Sequence, residues 1–318
     1  MMVHCCADCG MKGGSLKACK SCMLVRYCNA KCQRNHWPTH KQLCKRRAAE
    51  LHDKALFKDP PAKDDCPICF LPMPKTMACC VSFPPATVTS VPIYDFAIAN
   101  EKANNVCMAL YYSCCGKSIC GGCLDSFCES GNEENCAFCK SERLGKTMDE
   151  FIRELTKRVE ANDSGAMYVL GDRYNNGVHG LPQDRAKAIE LYARAADLGF
   201  SDAHYNLADV YRKGGDLKKA TFHLEAAAMA GHEDARHKLG FLEAQSGNME
   251  RAMKHFTIAA SAGNHHAMSD LLGALTRGYV SRDTIDSSLE AYNNACVEMR
   301  SESRDAYIRG FINRIAEG

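Results

Sequence analysis

The cysteines of this chain are concentrated in its first half, where they form closely spaced pairs. Twenty of the 21 cysteines precede residue 140. Eight soft metal ligands lie within residues 6–44 in four pairs: Cys6 and Cys9, Cys19 and Cys22, Cys28 and Cys32, and His40 and Cys44. Such a set is what two tetrahedral Zn2+ ions require. Because so short a segment buries little apolar area, we expect metal binding to supply much of its folding energy.

A disulfide framework is the alternative explanation for so many cysteines. The paired spacing and the participation of histidine favour metal instead, and the N-terminal MMVHCCADCG lacks the apolar core of a secretory signal. No run approaches 18 apolar residues, so we expect no membrane-spanning segment. A reducing compartment, the cytosol or the nucleus, agrees best with these features.

The charge of the chain gives little information about its partners. The net charge is +2, although residues 1–50 hold ten Lys and Arg against Asp8 and Glu50. Zinc-bound thiolates would offset much of this local excess, and no aromatic ladder accompanies it, as single-stranded nucleic acid would require. Nucleic-acid binding by the basic N-terminal segment is therefore the third and least supported of the functional hypotheses.

The second half of the first cluster reads RYCNAKCQRNHWPTHKQLC. This segment resembles the MYND zinc finger in its ligand spacing and in the intervening residues Tyr27, Gln33, Trp37, Pro38, His40 and Lys41. The resemblance implies two interleaved zinc centres, one held by Cys6, Cys9, Cys28 and Cys32, and the other by Cys19, Cys22, His40 and Cys44. Cys5 and His36 are the competing ligands, but Cys6 has the two-residue spacing to Cys9, and His40 has the family's spacing.

All four positions of each centre would be protein ligands, which leaves none for an activated water, so we expect structural zinc. The MYND resemblance further implies docking of short, often proline-containing peptides. Gln33 and Trp37, on the helix that carries His40, are the candidate contact residues. Trp37 could instead pack in the small core, and both interpretations stay open.

A second cysteine pattern follows a charged helical stretch at about 45–57 and a proline-containing linker. It reads Cys66-Pro-Ile-Cys69, then Cys114-Cys115-Gly-Lys-Ser-Ile-Cys120-Gly-Gly-Cys123, then Cys136-Ala-Phe-Cys139. This pattern resembles a RING finger. The resemblance implies that the first pair shares a zinc with Cys120 and Cys123, and the last pair shares one with ligands near residue 114.

The second pattern departs from the RING family at Lys117, which stands where a histidine ligand is usual. Cys115, Cys136 and Cys139 then need a fourth ligand, and we expect Cys114. Because adjacent residues of an extended chain point to opposite faces, a Cys-Cys pair can chelate only with a local kink. The other candidates lie in the long insertion at 70–113 and are Cys79, Cys80 and Cys107.

The RING resemblance implies recruitment of a ubiquitin-conjugating enzyme, whose orientation rather than a nucleophile of this chain would promote transfer. Ile68 and Lys140 occupy the positions expected to contact that enzyme. Ala137 replaces the usual proline, and the tryptophan often found before the last pair is absent. A ubiquitin ligase and an inactive RING-shaped scaffold both remain open.

The last part of the chain is repetitive. A 32-residue period relates three sets of residues: Leu207, Leu239 and Leu271; Gly199, Gly231 and Gly263; and Ala203, Ala235 and Ala267. Glycines at turns and alanines at helix contacts indicate two helices per unit and an α-solenoid. The strings KAIELYARAADLG, KATFHLEAAAMAG and RAMKHFTIAASAG resemble Sel-1-like repeats, relatives of the tetratricopeptide repeat. The histidines of this region mostly fall at repeat positions, and we interpret them as packing or surface residues.

We therefore predict a multi-domain chain in which two cross-braced zinc fingers precede an all-α helical-repeat solenoid. The predicted parts are a MYND-type finger at 1–48, a linker at 49–65, a RING-like finger at 66–143, repeats at 144–280 and capping helices at 281–318. The order of RING finger, repeats and the tail SLEAYNNACVEMRSESRDAY also resembles an expanded algal RING and Sel-1-like repeat family. We expect four zinc ions and protein or peptide partners, with a ubiquitin-conjugating enzyme as the alternative partner.

Overall fold

The computed structural model describes residues 5–12, 15–73, 109–132, 134–142, 147–178 and 180–306. The chain divides into two compact units, Met1–Lys58 and Asp59–Gly318. The predicted boundaries near residues 48, 65, 143 and 280 stay predictions. Within the described ranges, no helix combines the length and the apolarity of a segment that crosses a bilayer.

The first unit consists of a short hairpin and one long helix. Strand β1 (Lys17–Ala18) pairs antiparallel with β2 (Arg26–Tyr27), and helix α1 runs over Ala30–Leu56. Asn29 caps α1 because its side-chain oxygen accepts a hydrogen bond from the Cys32 N–H. The predicted charged helix at about 45–57 is thus the continuation of the helix that carries His40.

The apolar core of the first unit is small. Apart from Leu16 and Tyr27, its fully buried members are cysteines of the first cluster. A core of this size provides little hydrophobic stabilisation. The unit therefore has the composition of a module that folds around metal.

The second unit begins with a finger built on another hairpin. Strand β3 (Ala109–Tyr112) pairs antiparallel with β4 (Lys117–Cys120), and helix α2 (Gly121–Phe127) follows directly. A wide helical turn, Cys128–Asn132, ends this segment. Tyr112 opposes Lys117 in the register, so residues 113–116 form the hairpin turn.

The rest of the second unit is a helical array. Its helices are α3 (Met148–Glu160), α4 (Ser164–Asn176), α5 (Arg185–Asp197), α6 (Ser201–Lys213), α7 (Leu217–Met229), α8 (Glu233–Gln245), α9 (Met249–Ser261), α10 (His265–Thr276) and α11 (Arg282–Glu298). The closest packing lies within the pairs α4 with α5, α6 with α7, and α8 with α9. Consecutive pairs then pack against one another, and α11 packs on α9 and α10.

The periodic residues perform the roles that their spacing predicts. The three period alanines, Ala203, Ala235 and Ala267, are fully buried where helices touch. Gly199, Gly231 and Gly263 have φ values of 86°, 88° and 93° at the turns between units, a conformation in which a side chain is strained. The predicted fold class, zinc fingers followed by an α-helical repeat solenoid, is confirmed.

Candidate metal centres

The donor atoms of the paired ligands form four clusters, each within 4.8 Å. The clusters are Cys6, Cys9, Cys28 and Cys32; Cys19, Cys22, His40 and Cys44; Cys66, Cys69, Cys120 and Cys123; and Cys114, Cys115, Cys136 and Cys139. We number them centres 1 to 4 in that order. Centres 1 and 2 alternate along the chain, and so do centres 3 and 4, which is the cross-braced arrangement that the resemblances to the MYND and RING fingers imply.

The spacing of the sulfur atoms suits tetrahedral zinc. Zn–S bonds of about 2.3 Å at tetrahedral angles would place two sulfurs about 3.8 Å apart. The Sγ–Sγ distances are 3.6 Å for Cys19 and Cys44, 3.9 Å for Cys69 and Cys120, and 3.7 Å for Cys115 and Cys136. A disulfide would require about 2.05 Å. The donor sets, the distances and the free state of these cysteines are therefore consistent with four zinc ions.

Four of the cysteine pairs share one backbone turn. The residue after the second cysteine has a positive φ in each case and donates its N–H to the carbonyl of the first cysteine, over distances of 2.8–3.1 Å. These residues are Gly10, Met23, Phe70 and Lys140. The turn directs both Sγ atoms to one side, which explains the two-residue spacing.

The same turns favour the thiolate form that binds metal. The Cys9 N–H is the main cause of a lowered pKa for Cys6, which reaches about 6 despite the opposing effect of burial. The hydroxyl and then the N–H of Ser141 lower the pKa of Cys139 to about 6. These hydrogen bonds favour the thiolate at Cys6 and at Cys139, whereas burial raises the pKa of other cluster members such as Cys44 and Cys114.

Helix α1 supplies ligands to both centres of the first unit. Cys32 lies in its first turn, where the positive end of the helix dipole favours an anionic centre. His40 and Cys44 are four residues apart and therefore lie on one face of the helix. The His40 Nε2 lies 3.3 Å from Cys22 Sγ.

The competing ligands of the first unit lie elsewhere. Cys5 is exposed and belongs to none of the four clusters. His36 is half-buried, and its Nδ1 lies 2.9 Å from the hydroxyl of Tyr27. The structure therefore brings Cys6 and His40, rather than Cys5 and His36, to the centres.

The Cys-Cys pair of centre 4 lies in the hairpin turn between β3 and β4. Cys115 and Gly116 both donate their N–H groups to the Tyr112 carbonyl, and Gly116 has a φ of 72°. This is the kink that adjacent ligands need. Cys114 Sγ lies 3.5 Å from Cys139 Sγ, while the alternative candidates Cys79, Cys80 and Cys107 lie outside the described residues.

Lys117, at the usual histidine position, takes no part in centre 4. Its ammonium nitrogen lies 5.1 Å from the centroid of the Phe138 ring, a cation–π distance. Phe138 in turn packs edge-on against Tyr112 at 5.7 Å between ring centroids. Lys117 therefore packs against Phe138 and is not among the metal ligands.

The predicted contact residues lie at the surface of the two fingers. Trp37 is 40% exposed, and Gln33, one turn earlier on α1, is half-buried. Ile68 is 41% exposed. Lys140 is exposed, with its ammonium nitrogen 5.4 Å from the centroid of the Phe127 ring.

Two arginines that follow the second finger in sequence contact it, and the sequence analysis identified neither. Arg158 of α3 donates to the carbonyls of Ser113 and Cys114 in the hairpin turn. Arg304 donates to the sulfurs of Cys69 and Cys120 in centre 3. Burial alone would lower the pKa of Arg304, but its hydrogen bond to Cys120 and the nearby thiolate charges raise it. No local motif marks either arginine.

Two protein families match parts of this chain. Residues 6–44 match the MYND finger family, and residues 164–200, 201–232 and 234–264 match the Sel1 repeat family. A similar solved structure is a Sel1 repeat protein from Oxalobacter formigenes, with 26% identity over 48% of this chain and 65% of that one, at a TM-score of 0.41.

A second similar structure is c5321, a protective antigen of uropathogenic Escherichia coli strains with an SLR fold. It has 20% identity over 62% of this chain and 45% of that one, with a TM-score of 0.38. This chain thus spans less than two thirds of the length of these two proteins. It contains a MYND zinc finger at residues 6–44, followed by Sel1 repeats between residues 164 and 264.

Proposed function

We propose that this chain is a zinc-dependent adaptor that docks peptides through its MYND finger and protein partners through its helical array. The observation that carries this proposal is that all four ligand clusters are complete. Each holds four protein donors, which leaves no open position where zinc could activate water or a substrate. The zinc ions would then maintain two binding modules rather than perform chemistry. The sixteen clustered residues are the ligands in this proposal.

Surface features of both units support a docking role. Trp37 presents an aromatic ring beside Gln33 on α1, and a proline-containing peptide could pack on such a ring. The array exposes the aromatic residues Phe222, Phe241 and Tyr279. Exposed aromatic side chains are common anchors of protein interfaces.

Peptide docking can be tested with the natural fluorescence of the protein, because Trp37 is the only tryptophan. Titration with proline-containing peptides should shift its emission, and the same peptides with alanine for proline are the controls. Gln33→Ala should weaken the shift, while Phe241→Ala, in the other unit, should leave it unchanged. Unchanged emission across a broad peptide panel, with four zinc ions bound, would remove peptide docking from the proposal.

The alternative function is a RING-type ubiquitin ligase that uses the array as substrate receptor. Its specific support is the exposure of Ile68 and Lys140 on the two outer turns of the second finger. Self-ubiquitination with a panel of conjugating enzymes tests it, with Ile68→Ala as the variant and Leu217→Ala, at an exposed aliphatic residue of the array, as the matched surface control. Ubiquitin chains that form with the wild type and the control but not with Ile68→Ala would favour the ligase. The absence of ubiquitin chains with every conjugating enzyme, while four zinc ions are bound, would favour the scaffold.

Binding of nucleic acid by the basic first finger is the remaining hypothesis. It requires an affinity that falls steeply as the salt concentration rises, because phosphate contacts release counterions. Binding that is absent or insensitive to salt would eliminate it.

A further inference from the structure

Arg304 lies in the segment that follows α11, yet its side chain is buried against the second finger. Only 1% of the residue is exposed. Its Nε lies 3.3 Å from Cys120 Sγ, and one terminal nitrogen lies 3.3 Å from Cys69 Sγ. That terminal nitrogen also donates to the Leu71 carbonyl at 3.2 Å, and the other one donates to the carbonyls of Pro72 and Met299 at 2.8 and 2.7 Å.

These contacts use the full hydrogen-bonding capacity of the side chain. A guanidinium group has five N–H donors, and five acceptors surround this one: two sulfurs and three carbonyl oxygens. Such complete satisfaction is what allows a cation to be buried. Arg304 is therefore specifically accommodated by the finger.

The charge of centre 3 explains why a cation is favourable there. Four thiolates around Zn2+ carry a net charge of −2, and the guanidinium offsets part of it. Arg304 donates to two of the four sulfurs that would hold this zinc, so its positive charge lies directly beside the centre. Metal binding and burial of this arginine should therefore favour one another.

Helix α2 has a glycine, Gly122, at the point where the backbone of the segment that contains Arg304 approaches it. A Cβ built on Gly122 would lie 2.5 Å from the backbone nitrogen of Arg304 and 2.7 Å from its Cα. No real Cβ tolerates such distances, so the approach of the segment requires glycine at this position. Gly122 follows two residues after the ligand Cys120, within the block that also provides Cys123.

We propose that Arg304 is an outer-shell residue of centre 3, and that zinc binding there and docking of residues 299–305 stabilise each other. The inference extends the proposed adaptor, since one of its zinc centres would be completed by the far end of the helical array. It rests on zinc occupying centre 3. By thermodynamic reciprocity, docking of the segment should raise the zinc affinity of centre 3 by the same factor as zinc binding favours docking of the segment.

The test compares zinc retention in Arg304→Gln with the wild-type full-length protein. Both are exposed to increasing chelator, and native mass spectrometry counts the bound zinc. We expect one zinc to be lost at a free-metal concentration roughly ten to a hundred times higher than in the wild type, the usual effect of losing an outer-shell partner. Arg277→Gln, an exposed arginine of the array, is the matched control and should behave as wild type.

Thiol alkylation at the point of that loss identifies the centre. Peptide mapping should show label on Cys66, Cys69, Cys120 and Cys123 while the other twelve ligands remain protected. Three results would overturn the proposal. They are label on another centre, equal label on all centres, and loss of the first zinc at the same chelator concentration as in the wild type.

Two further variants cover the case in which Arg304→Gln folds poorly. Arg304→Lys keeps the charge but cannot reach both sulfurs, so it should fall between the wild type and Arg304→Gln. Gly122→Ala should raise helix propensity yet displace the segment, so it should also release the zinc of centre 3 first. If Gly122→Ala retains that zinc as the wild type does, the coupling is wrong.

Cobalt substitution provides a readout that general destabilisation does not alter. Hydrogen bonds to thiolates change the energy of thiolate-to-cobalt charge-transfer bands, so the spectrum of fully loaded Arg304→Lys should differ from that of the wild type. The difference should correspond to one cobalt of four. Identical spectra at full loading would show that Arg304 does not act on the metal–thiolate bonds.

Discussion

Lys63 and Glu233 are 170 residues apart in sequence, but the ammonium nitrogen of one lies 3.2 Å from a carboxylate oxygen of the other. The Glu233 side chain is fully buried at the start of α8, and Lys63 also donates to the Ala262 carbonyl at the end of α9. Pro61 packs on Gly231 close by. The segment before the second finger is therefore fixed to the helical array by a buried ion pair.

Lys63→Ala should destabilise the second unit by about 3 kcal/mol, because it removes the cation from a buried carboxylate. Chemical denaturation followed by helical circular dichroism measures this. Adding Glu233→Gln should recover much of the loss, since the uncompensated charge is then gone. Lys219→Ala, which breaks an exposed pair with Asp216, should have little effect. An equal loss in both lysine variants would contradict the structural role of the buried pair.

Cys114→Ser should reduce the bound zinc from four ions to three. The serine hydroxyl is a poor substitute for a thiolate at a closed zinc centre, and Cys114 is the nearest candidate for the fourth ligand of centre 4. Native mass spectrometry of the purified chain gives the count. Cys128→Ser is the matched control, because Cys128 is half-buried in the same finger but belongs to none of the four clusters. Four zinc ions in Cys114→Ser would mean that another residue completes the centre.

Met23→Gly should stabilise the first unit by about 1 kcal/mol. Met23 has a φ of 59° in its metal-binding turn, where any side chain is strained, and it is 65% exposed, so its removal loses little packing. Unfolding of this unit can be followed through the fluorescence of Trp37. Met23→Ala retains the strain and should show no gain. A gain in Met23→Ala equal to that in Met23→Gly would show that the side chain, and not the backbone, causes the effect.

The free energy of unfolding of the array should fall as the pH decreases from about 6.5 to about 4. Burial, and then the charge of His204, lower the pKa of His223 to about 4, and the two Nδ1 atoms lie 3.0 Å apart. In this range the unfolded chain binds the proton that the folded chain excludes, so acid favours unfolding.

The measurement is denaturation at several pH values for the wild type and for His223→Phe, in which the new ring keeps the stacking with Tyr211. Both proteins share the zinc centres, so zinc release by acid cancels in the comparison. The wild type should lose stability more steeply than the variant. Parallel pH profiles would show that this histidine pair does not couple protonation to folding.

Much of this fold is predictable from the sequence because its signals are local. All eight ligands of the MYND finger lie within residues 6–44, and a 32-residue period of small residues specifies the helical pairs. The Cys114–Cys115 pair is only partly predictable. Its chelating geometry depends on a kink at Gly116, and a glycine at this position allows such a kink but does not predict it.

The contacts of Lys63, Arg158 and Arg304 could not be predicted in this way. Each is one basic residue in a chain with 40 Lys and Arg, and its partner is distant in sequence or lies in another element. Only the three-dimensional packing of the second unit distinguishes these three basic residues from the others. For the same reason, exposed residues such as Ile68 show where partners could bind but do not identify them.

The contacts of the second finger also limit how this chain can change in length. Arg158 joins the finger to the first helix of the array, and Arg304 joins it to the segment after the last one. Solenoids ordinarily gain or lose whole repeats, because each unit contacts only its neighbours. Here an added or deleted repeat would move one attachment point away from the other by the width of a helical pair. A chain with one repeat more or fewer would therefore have to break the contacts of Arg158 or those of Arg304 with the finger.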